Sequence, residues 1–285
     1  MIIGVLGPEG SFSQKASNLW HDKCDIDTIS LNYYGDIPDV FQAAIKKEID
    51  VGIVPVENSI EGLVGITLDE LFENPIKIIG EVIVPIHHCL VSKGDLEDIK
   101  IILSHPQAIA QCRCFLKKYF NETEIRTTGS TSHAAKLANE FNEMAAIASS
   151  ESAENYGLNV LIKDVQDRKN NFTRFIAISS SQNKQLMKTI FYDSSNKKNN
   201  IFKTSLIFYL ENDHPGALYN ILGEFATRNI NLTKIESRPS KKALGDYIFY
   251  IDLSGHIDND KVRDAINSVS KKVNEIKLLG SYIVQ

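Results

Sequence analysis

A hydroxyl and a guanidinium stand side by side at Thr173 and Arg174, within the segment NNFTRF that covers residues 170–175. An arginine guanidinium can bind a carboxylate through two parallel hydrogen bonds, and a neighbouring threonine hydroxyl can donate another to the same ligand. We interpret the segment as a polar turn before an apolar strand at residues 175–178. Because an isolated pair of this kind is most often a solvated surface turn, its assignment as an anion site depends on the other polar segments.

Four more polar segments follow predicted strands, and each offers hydroxyl, amide or backbone N–H groups. They are GPEGSFS at 7–13, PVENSIEG at 55–62, SHPQ at 104–107 and GSTSH at 129–133. The first leads into a helix whose positive N-terminal end can bind an anion, although Ser11 or Ser13 could equally serve only as the helix N-cap. In the third, Gln111 lies one helical turn after Gln107 and shares its face. In the fourth, Ser132 is a candidate N-cap.

Together these segments present many neutral hydrogen-bond donors, one arginine and few acids, of which Glu57 is the nearest. This combination favours an anionic, oxygen-rich small molecule as the ligand. Other chemistries are not indicated, because the glycine spacing does not match a dinucleotide fingerprint and the chain has no G-x-S-x-G, H-E-x-x-H or P-loop motif. We interpret His87 and His88, which stand in an apolar strand context, as half-buried packing residues.

The composition is that of a soluble globular protein of about two domains, with 285 residues, 43% hydrophobic and 24% charged. A net charge of -5 without a dense basic cluster argues against a nucleic-acid surface. The N-terminus lacks the basic region of a signal peptide, and no apolar run reaches the length of a membrane span. The four cysteines are irregularly spaced and predict neither a disulfide framework nor a zinc site. We therefore expect a cytoplasmic protein that binds small molecules, with no nucleic-acid or membrane partner.

Up to about residue 180, short apolar runs alternate with helical patterns, which predicts an α/β fold. The candidate strands are residues 2–6, 28–31, 51–55, 78–84, 101–104, 124–127, 145–148 and 175–178. Residues 181–203 are rich in Ser, Asn and Lys and are predicted to be a linker. The remaining elements follow the order βαββαβ, which is the ferredoxin-like arrangement. A small domain after a linker is more often regulatory or oligomerising than catalytic.

Seven motifs along the chain stand in the order of one known family. They are GPEGSFS at 7–13, VPVENSIEG at 54–62, SHPQAIAQC at 104–112, STSHAA at 130–135, NFTRF at 171–175, PGAL at 215–218 and NLTKIESRP at 231–239. On these motifs the chain resembles prephenate dehydratase, in the monofunctional form with a C-terminal ACT regulatory domain, over nearly its whole length. The resemblance implies a catalytic domain at 1–180 with two periplasmic-binding-protein-like α/β lobes, at 1–76 with 164–180 and at 77–163. A linker at 181–203 and a ferredoxin-like ACT domain at 204–285 would complete the chain.

The resemblance also implies an activity, a carbon–oxygen lyase reaction in which prephenate loses carbon dioxide and water to give phenylpyruvate in L-phenylalanine biosynthesis. Thr173 would assist departure of the ring hydroxyl, and Arg174 would position an anionic group. The other residues implied are Asn58, Ser59 and Gln111 as catalytic groups, and Ser11, Phe12, Ser13, Glu57, Ser104, Thr131, Ser132 and Phe175 as substrate-binding groups. No metal or organic cofactor is required.

For the ACT domain the resemblance implies that L-phenylalanine binds at a subunit interface of a homodimer or homotetramer and inhibits the enzyme by feedback. The effector-binding residues would be Gly216, Ala217, Leu218, Glu236, Ser237, Arg238 and Pro239. Where a glycine is expected before Ile230, the chain has Asn229, the non-glycine residue best suited to a left-handed turn.

Two alternatives remain open on the same motifs. Arogenate dehydratase performs the same chemistry on an amino acid that has an ammonium where prephenate has a keto group, and the sequence contains no clear discriminator. A ligand sensor without catalysis would use the same two-lobed fold. The intact Thr173-Arg174-Phe175 motif and the lack of a DNA-binding segment argue against a sensor.

Overall fold

A computed structural model describes residues 1–24, 28–180, 201–210, 214–240 and 246–284. Most of the predicted linker at 181–203 therefore lies outside the described residues. The chain divides into two compact units, one formed by residues 1–67 with 82–175 and the other by residues 68–81 with 176–285. Within the described ranges, no helix is long and apolar enough to cross a membrane.

Strands and helices alternate in the first 85 residues, as predicted. The elements are β1 (Ile2–Leu6), α1 (Phe12–His21), β2 (Ser30–Tyr34), α2 (Ile37–Ile45), β3 (Val51–Asn58), β4 (Gly62–Leu63), α3 (Gly65–Glu73) and β5 (Ile76–Pro85). β1 pairs in parallel with both β2 and β3. Parallel neighbours bring their carboxyl ends to one edge of the sheet, so the polar segments after β1 and at the end of β3 come together there.

The next part of the chain builds a second sheet before its last strand returns to the first. The elements are β6 (Cys89–Ser92), β7 (Ile101–Ser104), α4 (Pro106–Gln111), α5 (Arg113–Tyr119), β8 (Glu124–Thr127), α6 (Thr131–Ala138), β9 (Met144–Ala148), α7 (Ser150–Asn155), β10 (Asn159–Ile162) and β11 (Phe172–Ser180). The second sheet has the order β10-β6-β9-β7-β8. In the first sheet the order is β2-β1-β3-β11-β5, with β4 beside β3. The predicted two-lobed α/β architecture is confirmed.

The segment predicted as a polar turn at 170–175 is mostly a strand, because β11 already begins at Phe172. Aromatic and β-branched side chains favour extended backbone, and the start of the strand is also tied down. The N–H of Ser59 donates to the carbonyl of Phe172 at 2.9 Å, and the N–H of Phe172 donates to the Ser59 hydroxyl at 2.9 Å. Because side chains alternate along a strand, Thr173 and Arg174 point to opposite faces.

The C-terminal domain has the predicted βαββαβ order. Its elements are β12 (Phe202–Leu210), α8 (Ala217–Ala226), β13 (Leu232–Pro239), β14 (Tyr247–Ser254), α9 (Asp260–Ser270) and β15 (Glu275–Ile283). The sheet has the order β13-β14-β12-β15, with antiparallel pairing throughout. Both helices cover it through a core that includes the fully buried Phe208, Phe225 and Val269. Asn229 adopts φ 55°, which confirms the left-handed turn predicted at this position.

The second unit also contains the end of α3 and the beginning of β5, and these residues contact the C-terminal sheet. The hydroxyl of Tyr250 donates to the carbonyl of Leu68 at 2.8 Å. The ammonium of Lys277 donates to the carbonyls of Leu71 at 2.7 Å and Phe72 at 3.0 Å, at the end of the helix where carbonyls lack partners. Burial, followed by the nearby Lys77 charge, lowers the pKa of Lys277.

Gly280 of β15 lies so close to Ile78 that a Cβ atom there would collide with the Ile78 carbonyl oxygen. We expect Gly280→Ala to lower the free energy of unfolding by about 1 to 3 kcal/mol, since two backbones would have to separate. The matched control is Gly223→Ala within α8, where a Cβ atom meets nothing within 4 Å. Alanine in a helix interior should raise stability by about 0.5 to 1 kcal/mol. Urea unfolding of both variants tests the pair, and equal effects would contradict the close approach.

Candidate active site

A cavity of about 500 Å³ lies in the first unit, among the loops at the ends of its strands. Its polar lining consists of Ser11, Ser13, Asn58, Glu61, His88, His105, Gln107, Gln111, Ser130, Thr131, Ser132 and Thr173. Phe12, Leu63, Ile86 and other apolar side chains complete the wall. Among the described residues, the cavity lining therefore combines many hydroxyl and amide groups with one carboxylate, that of Glu61.

Two helices begin at the cavity wall. Ser11 is the N-cap of α1 and accepts from the N–H of Gln14 at 3.3 Å, so of the two serines considered for this role it is Ser11 that fills it. Ser130 is the N-cap of α6 and accepts from the N–H of His133 at 3.0 Å. The prediction that Ser132 is the N-cap is therefore wrong, because the helix already starts at Thr131. The N-terminal ends of both helices carry partial positive charge, which favours anionic groups beside them.

A continuous series of amide hydrogen bonds crosses the site. The Nδ2 group of Asn58 donates to Oγ1 of Thr173 at 2.9 Å and to Oδ1 of Asn171 at 2.8 Å. The Nδ2 group of Asn171 donates to Oε1 of Gln111 at 2.9 Å, and Nε2 of Gln111 donates to Oε1 of Glu61 at 3.1 Å. Asn171 is 1% exposed and Thr173 is 9% exposed, so little water competes for these bonds.

His88 lies at the buried end of this series. Its Nε2 atom is 3.1 Å from Oε1 of Gln111, and its ring meets the edge of Phe12 at a centroid distance of 5.8 Å. Burial, followed by the charge of His87, lowers the pKa of His88, while the hydrogen bond to Gln111 acts in the opposite direction. The interpretation of both histidines as half-buried packing residues in a strand is wrong. They lie between β5 and β6, where His87 is exposed and pairs with Asp164 while His88 is buried at the cavity.

Eight of the predicted site residues line the cavity together. They are Thr173, Asn58, Gln111, Ser11, Phe12, Ser13, Thr131 and Ser132. The pairing of Gln107 and Gln111 on one face of α4 also holds, since both face the cavity.

The other five predicted residues lie outside the cavity lining. The buried Ser104 hydroxyl donates to the carbonyl of Ile147 at 2.6 Å, and Phe175 is 2% exposed. Ser59 bonds to the start of β11, as described above. The guanidinium of Arg174 is 3.8 Å from the carboxylate of Glu57. Any role of these residues in binding or chemistry stays a prediction.

Several lining residues were not predicted from the sequence. Glu61, rather than Glu57, is the acid that lines the cavity. Its position three residues after Asn58, in the same polar segment, could have indicated that it belongs to the site. Ser130 and His105 are the N-cap residues of α6 and α4. His88 had no local signal, because its role depends on a side chain 23 positions away in the chain.

The predicted effector residues lie in the second unit. Gly216 has φ 88° and is the N-cap of α8, and Ala217 is buried in the domain core. Glu236, Ser237, Arg238 and Pro239 form the end of β13. The guanidinium of Arg238 contacts both carboxylate oxygens of Asp69 in α3, at 3.1 and 3.2 Å. Arg238 thus connects the end of β13 to α3. Effector binding by these residues stays a prediction.

Comparison with known proteins shows where the chain has relatives. The profile of the prephenate dehydratase family matches residues 3–183, and that of the ACT domain matches residues 204–271. A prephenate dehydratase of Methanocaldococcus jannaschii is 43% identical over 280 residues, which cover 97% of this chain and 96% of that protein. The chloroplastic arogenate dehydratase/prephenate dehydratase 2 of Arabidopsis thaliana is 33% identical, covering 99% of this chain and 72% of that protein. A crystal structure of prephenate dehydratase with L-Phe from Arthrobacter aurescens has a TM-score of 0.84 and 32% identity, covering 99% and 90% of the two chains.

The lowered pKa of His88 predicts how stability depends on pH. In the unfolded chain this histidine takes up a proton near its ordinary pKa of 6.5, whereas the folded state resists protonation. The unfolded state therefore binds more protons below that pH, and the free energy of unfolding falls as the pH falls. We expect His88→Gln to lose less stability than the parent protein between about pH 7 and 5 in urea unfolding. Parallel stability curves for His88→Gln and the parent would contradict the assignment.

Proposed function

Because the chain belongs to the prephenate dehydratase family and carries an ACT domain, we propose that it converts prephenate to phenylpyruvate. In this reaction the bond between the ring and its carboxylate breaks, the electron pair moves into the ring, and the ring hydroxyl leaves with a proton as water. Formation of the aromatic ring drives the step. The protein therefore has to hold two carboxylates and assist the departure of one hydroxyl.

The observation that carries the proposal is the hydrogen bond from Asn58 to Thr173. Oγ1 of Thr173 accepts from the amide of Asn58, so its own proton is directed elsewhere, and the side chain lines the cavity. A threonine hydroxyl is a weak acid, but a hydroxyl fixed in this direction can donate a hydrogen bond to the leaving oxygen without reorganisation. Thr173 is therefore proposed as the catalytic donor, and Asn58 as the group that orients it.

Binding of the two carboxylates is proposed to use the N-terminal ends of α1 and α6. Ser13, Thr131 and Ser132 lie in the first turns of these helices and line the cavity. Helix ends stabilise anions through backbone N–H groups and partial positive charge. Two such ends suit a ligand with two carboxylates.

Glu61 favours arogenate as a second candidate substrate. Its carboxylate lines the cavity and accepts from Nε2 of Gln111, which places a negative group within the binding space. A negative group attracts the ammonium of arogenate and repels the carboxylates of prephenate. The Arabidopsis relative, whose name includes both activities, gives this candidate further support.

The ACT domain is proposed to bind L-phenylalanine and to inhibit the reaction, through the residues at 216–218 and 236–239 named above, in a homodimer or homotetramer. The L-Phe complex of the Arthrobacter relative supports this ligand. Arg238 offers a route for coupling, since it lies in the proposed effector segment and binds Asp69 of α3. Coupling of this kind must be reciprocal, so substrate would weaken phenylalanine binding to the same degree.

Turnover by the purified protein is the direct test of the proposed function. Prephenate and arogenate are each incubated at neutral pH, with and without phenylalanine, and phenylpyruvate and phenylalanine are measured. Conversion of prephenate supports the proposal, and conversion of arogenate alone would replace it by the second candidate. No turnover of either substrate would rule out the enzyme and leave the sensor.

Thr173→Val is expected to lower kcat by about 100- to 1000-fold, because it removes a donor that acts on the leaving group while it preserves side-chain shape. Thr173→Ser keeps the hydroxyl, and its kcat should fall much less. Steady-state kinetics give kcat and KM, and thermal unfolding confirms that both variants are folded. Similar rates for the valine and serine variants would contradict the role of the hydroxyl.

Glu61→Gln is expected to shift substrate preference, because it removes the one carboxylate of the cavity lining. The ratio of kcat/KM for prephenate to that for arogenate should rise by about two- to fivefold, the range for a solvent-exposed charge interaction. The matched control is Glu97→Gln, an acid remote in sequence that does not line this cavity. A ratio that falls, or that moves equally in the control, would show that Glu61 does not select between the substrates.

A further inference from the structure

We propose that His88 is a positioning residue, which holds the amide of Gln111 in place at the far side of the amide hydrogen bonds that lead to Thr173. The inference rests on the proposed function in one respect, since it assigns His88 to the same reaction. Each primary amide has a donor end and an acceptor end, so reversing one amide in a series forces its neighbours to reverse as well.

The direction begins at the backbone beside Asn58. The N–H groups of Ile60 and Glu61 both donate to Oδ1 of Asn58, at 2.8 and 2.9 Å. A backbone N–H can only donate, so this end of the amide must be the oxygen. The two hydrogens of Nδ2 are then assigned to Asn171 and Thr173, and the amide of Asn58 has no remaining donor.

Two more amides, those of Asn171 and Gln111, are oriented in the same way. Asn171 receives a hydrogen from Asn58 and must present Oδ1 to it, so its Nδ2 group faces Gln111. Gln111 must in turn present Oε1 to Asn171, and this leaves its Nε2 group facing Glu61. The orientation of all three amides therefore follows from two backbone N–H groups.

His88 completes the series because its Nε2 atom faces the same oxygen of Gln111 at 3.1 Å. An amide oxygen has no hydrogen to donate, so Nε2 of His88 must carry the proton. Within the described part of the chain, Nδ1 of His88 is buried and has no hydrogen-bond partner. The expected form is thus a neutral ring with its proton on Nε2.

The surroundings of the ring are consistent with that neutral form. Phe12 of α1 and Gln111 of α4 are uncharged, and the backbone N–H of His88 donates to the uncharged Gln166. His87, the next residue in the chain, has an exposed ring that binds Asp164, and Glu61 lies on the far side of Gln111. His105 lines the same cavity. His88 is 3% exposed, so water does not replace these contacts.

Loss of the His88 donor would lower the cost of reversing the Gln111 amide, because Oε1 of Gln111 would keep only one donor, Asn171. Oε1 of Gln111 accepts two hydrogen bonds, one from Nε2 of His88 and one from Nδ2 of Asn171. Without the His88 donor, the reversed amide would bring its NH₂ group against the NH₂ group of Asn171. Asn171 would then lose the acceptor of its Nδ2 group and move relative to Asn58. The Asn58 amide, still held by the backbone, would align the Thr173 hydroxyl less well.

The tautomer can be measured on the free protein without any substrate. Long-range ¹H–¹⁵N NMR correlations of the histidine rings distinguish a neutral ring protonated on Nε2 from one protonated on Nδ1. We expect His88 to be neutral with its proton on Nε2 at pH 7. A ring protonated on Nδ1 would overturn the inference, even if the protein proves to be an active dehydratase.

Three variants separate positioning from packing in the prephenate turnover assay. His88→Asn removes the donor at the Nε2 position and should lower kcat by about 30- to 100-fold, the order expected for a misplaced catalytic group. His88→Gln can place an amide N–H near the Nε2 position, so its kcat should fall by no more than about fivefold. His87→Gln, the neighbouring exposed control, should keep the parent kcat. KM should change little in each, because the effect is on the direction of the hydroxyl.

A double-mutant cycle with Gln111→Met decides whether His88 acts through Gln111. In the Gln111→Met background, His88→Asn should lower kcat by less than about threefold, because the acceptor of the His88 hydrogen bond is already gone. If His88→Asn lowers kcat in that background as much as it does in the parent protein, the inference is overturned. Equal kcat values for His88→Asn and His88→Gln would overturn it as well. If the parent protein turns over neither substrate, the proposed function fails, whereas the NMR result still confirms or overturns the tautomer and the direction of the amides.

Discussion

The candidate site depends on one local constraint, the acceptance of two backbone N–H groups by the side-chain oxygen of Asn58. This places the Asn58 amide hydrogens toward Asn171 and Thr173 and makes Thr173 Oγ1 an acceptor. The constraint arises at the end of β3, where the chain turns into β4. A hydroxyl that projects from a neighbouring strand thereby acquires a defined direction, because the group opposite it cannot rotate.

Strand geometry then explains why Thr173 rather than Arg174 enters the cavity lining. The two residues are adjacent in β11, so their side chains leave the strand on opposite faces. Only one of them can face a given site. The guanidinium lies near Glu57, and the conspicuous arginine that first indicated an anion site is on the other side of the strand from the cavity. Residue type pointed to the right segment but not to the right face.

Much of the architecture could be predicted from the sequence. The strands at Ile2–Leu6, Ile101–Ser104 and Glu124–Thr127 have clear apolar or alternating patterns between turn signals, and the ferredoxin-like order of the last domain was readable from periodicity. β6 and β10 were missed because short strands without alternation resemble ordinary loop sequence. In the site, hydroxyl-rich segments at strand ends were predictable. His88 was not, since its contact with Gln111 exists only once β6 and α4 are brought together.

The proposed binding of carboxylates at helix ends has a consequence for the departure of product. Each helix end carries roughly half an elementary charge on groups that cannot move toward the ligand. In the proposed reaction the bound molecule loses one of its two negative charges as carbon dioxide leaves. One helix end then faces an uncharged aromatic ring, and its attraction for the ligand is lost at the moment the chemistry is complete. Binding through fixed partial charges therefore weakens of its own accord, which favours rapid emptying of the cavity between cycles.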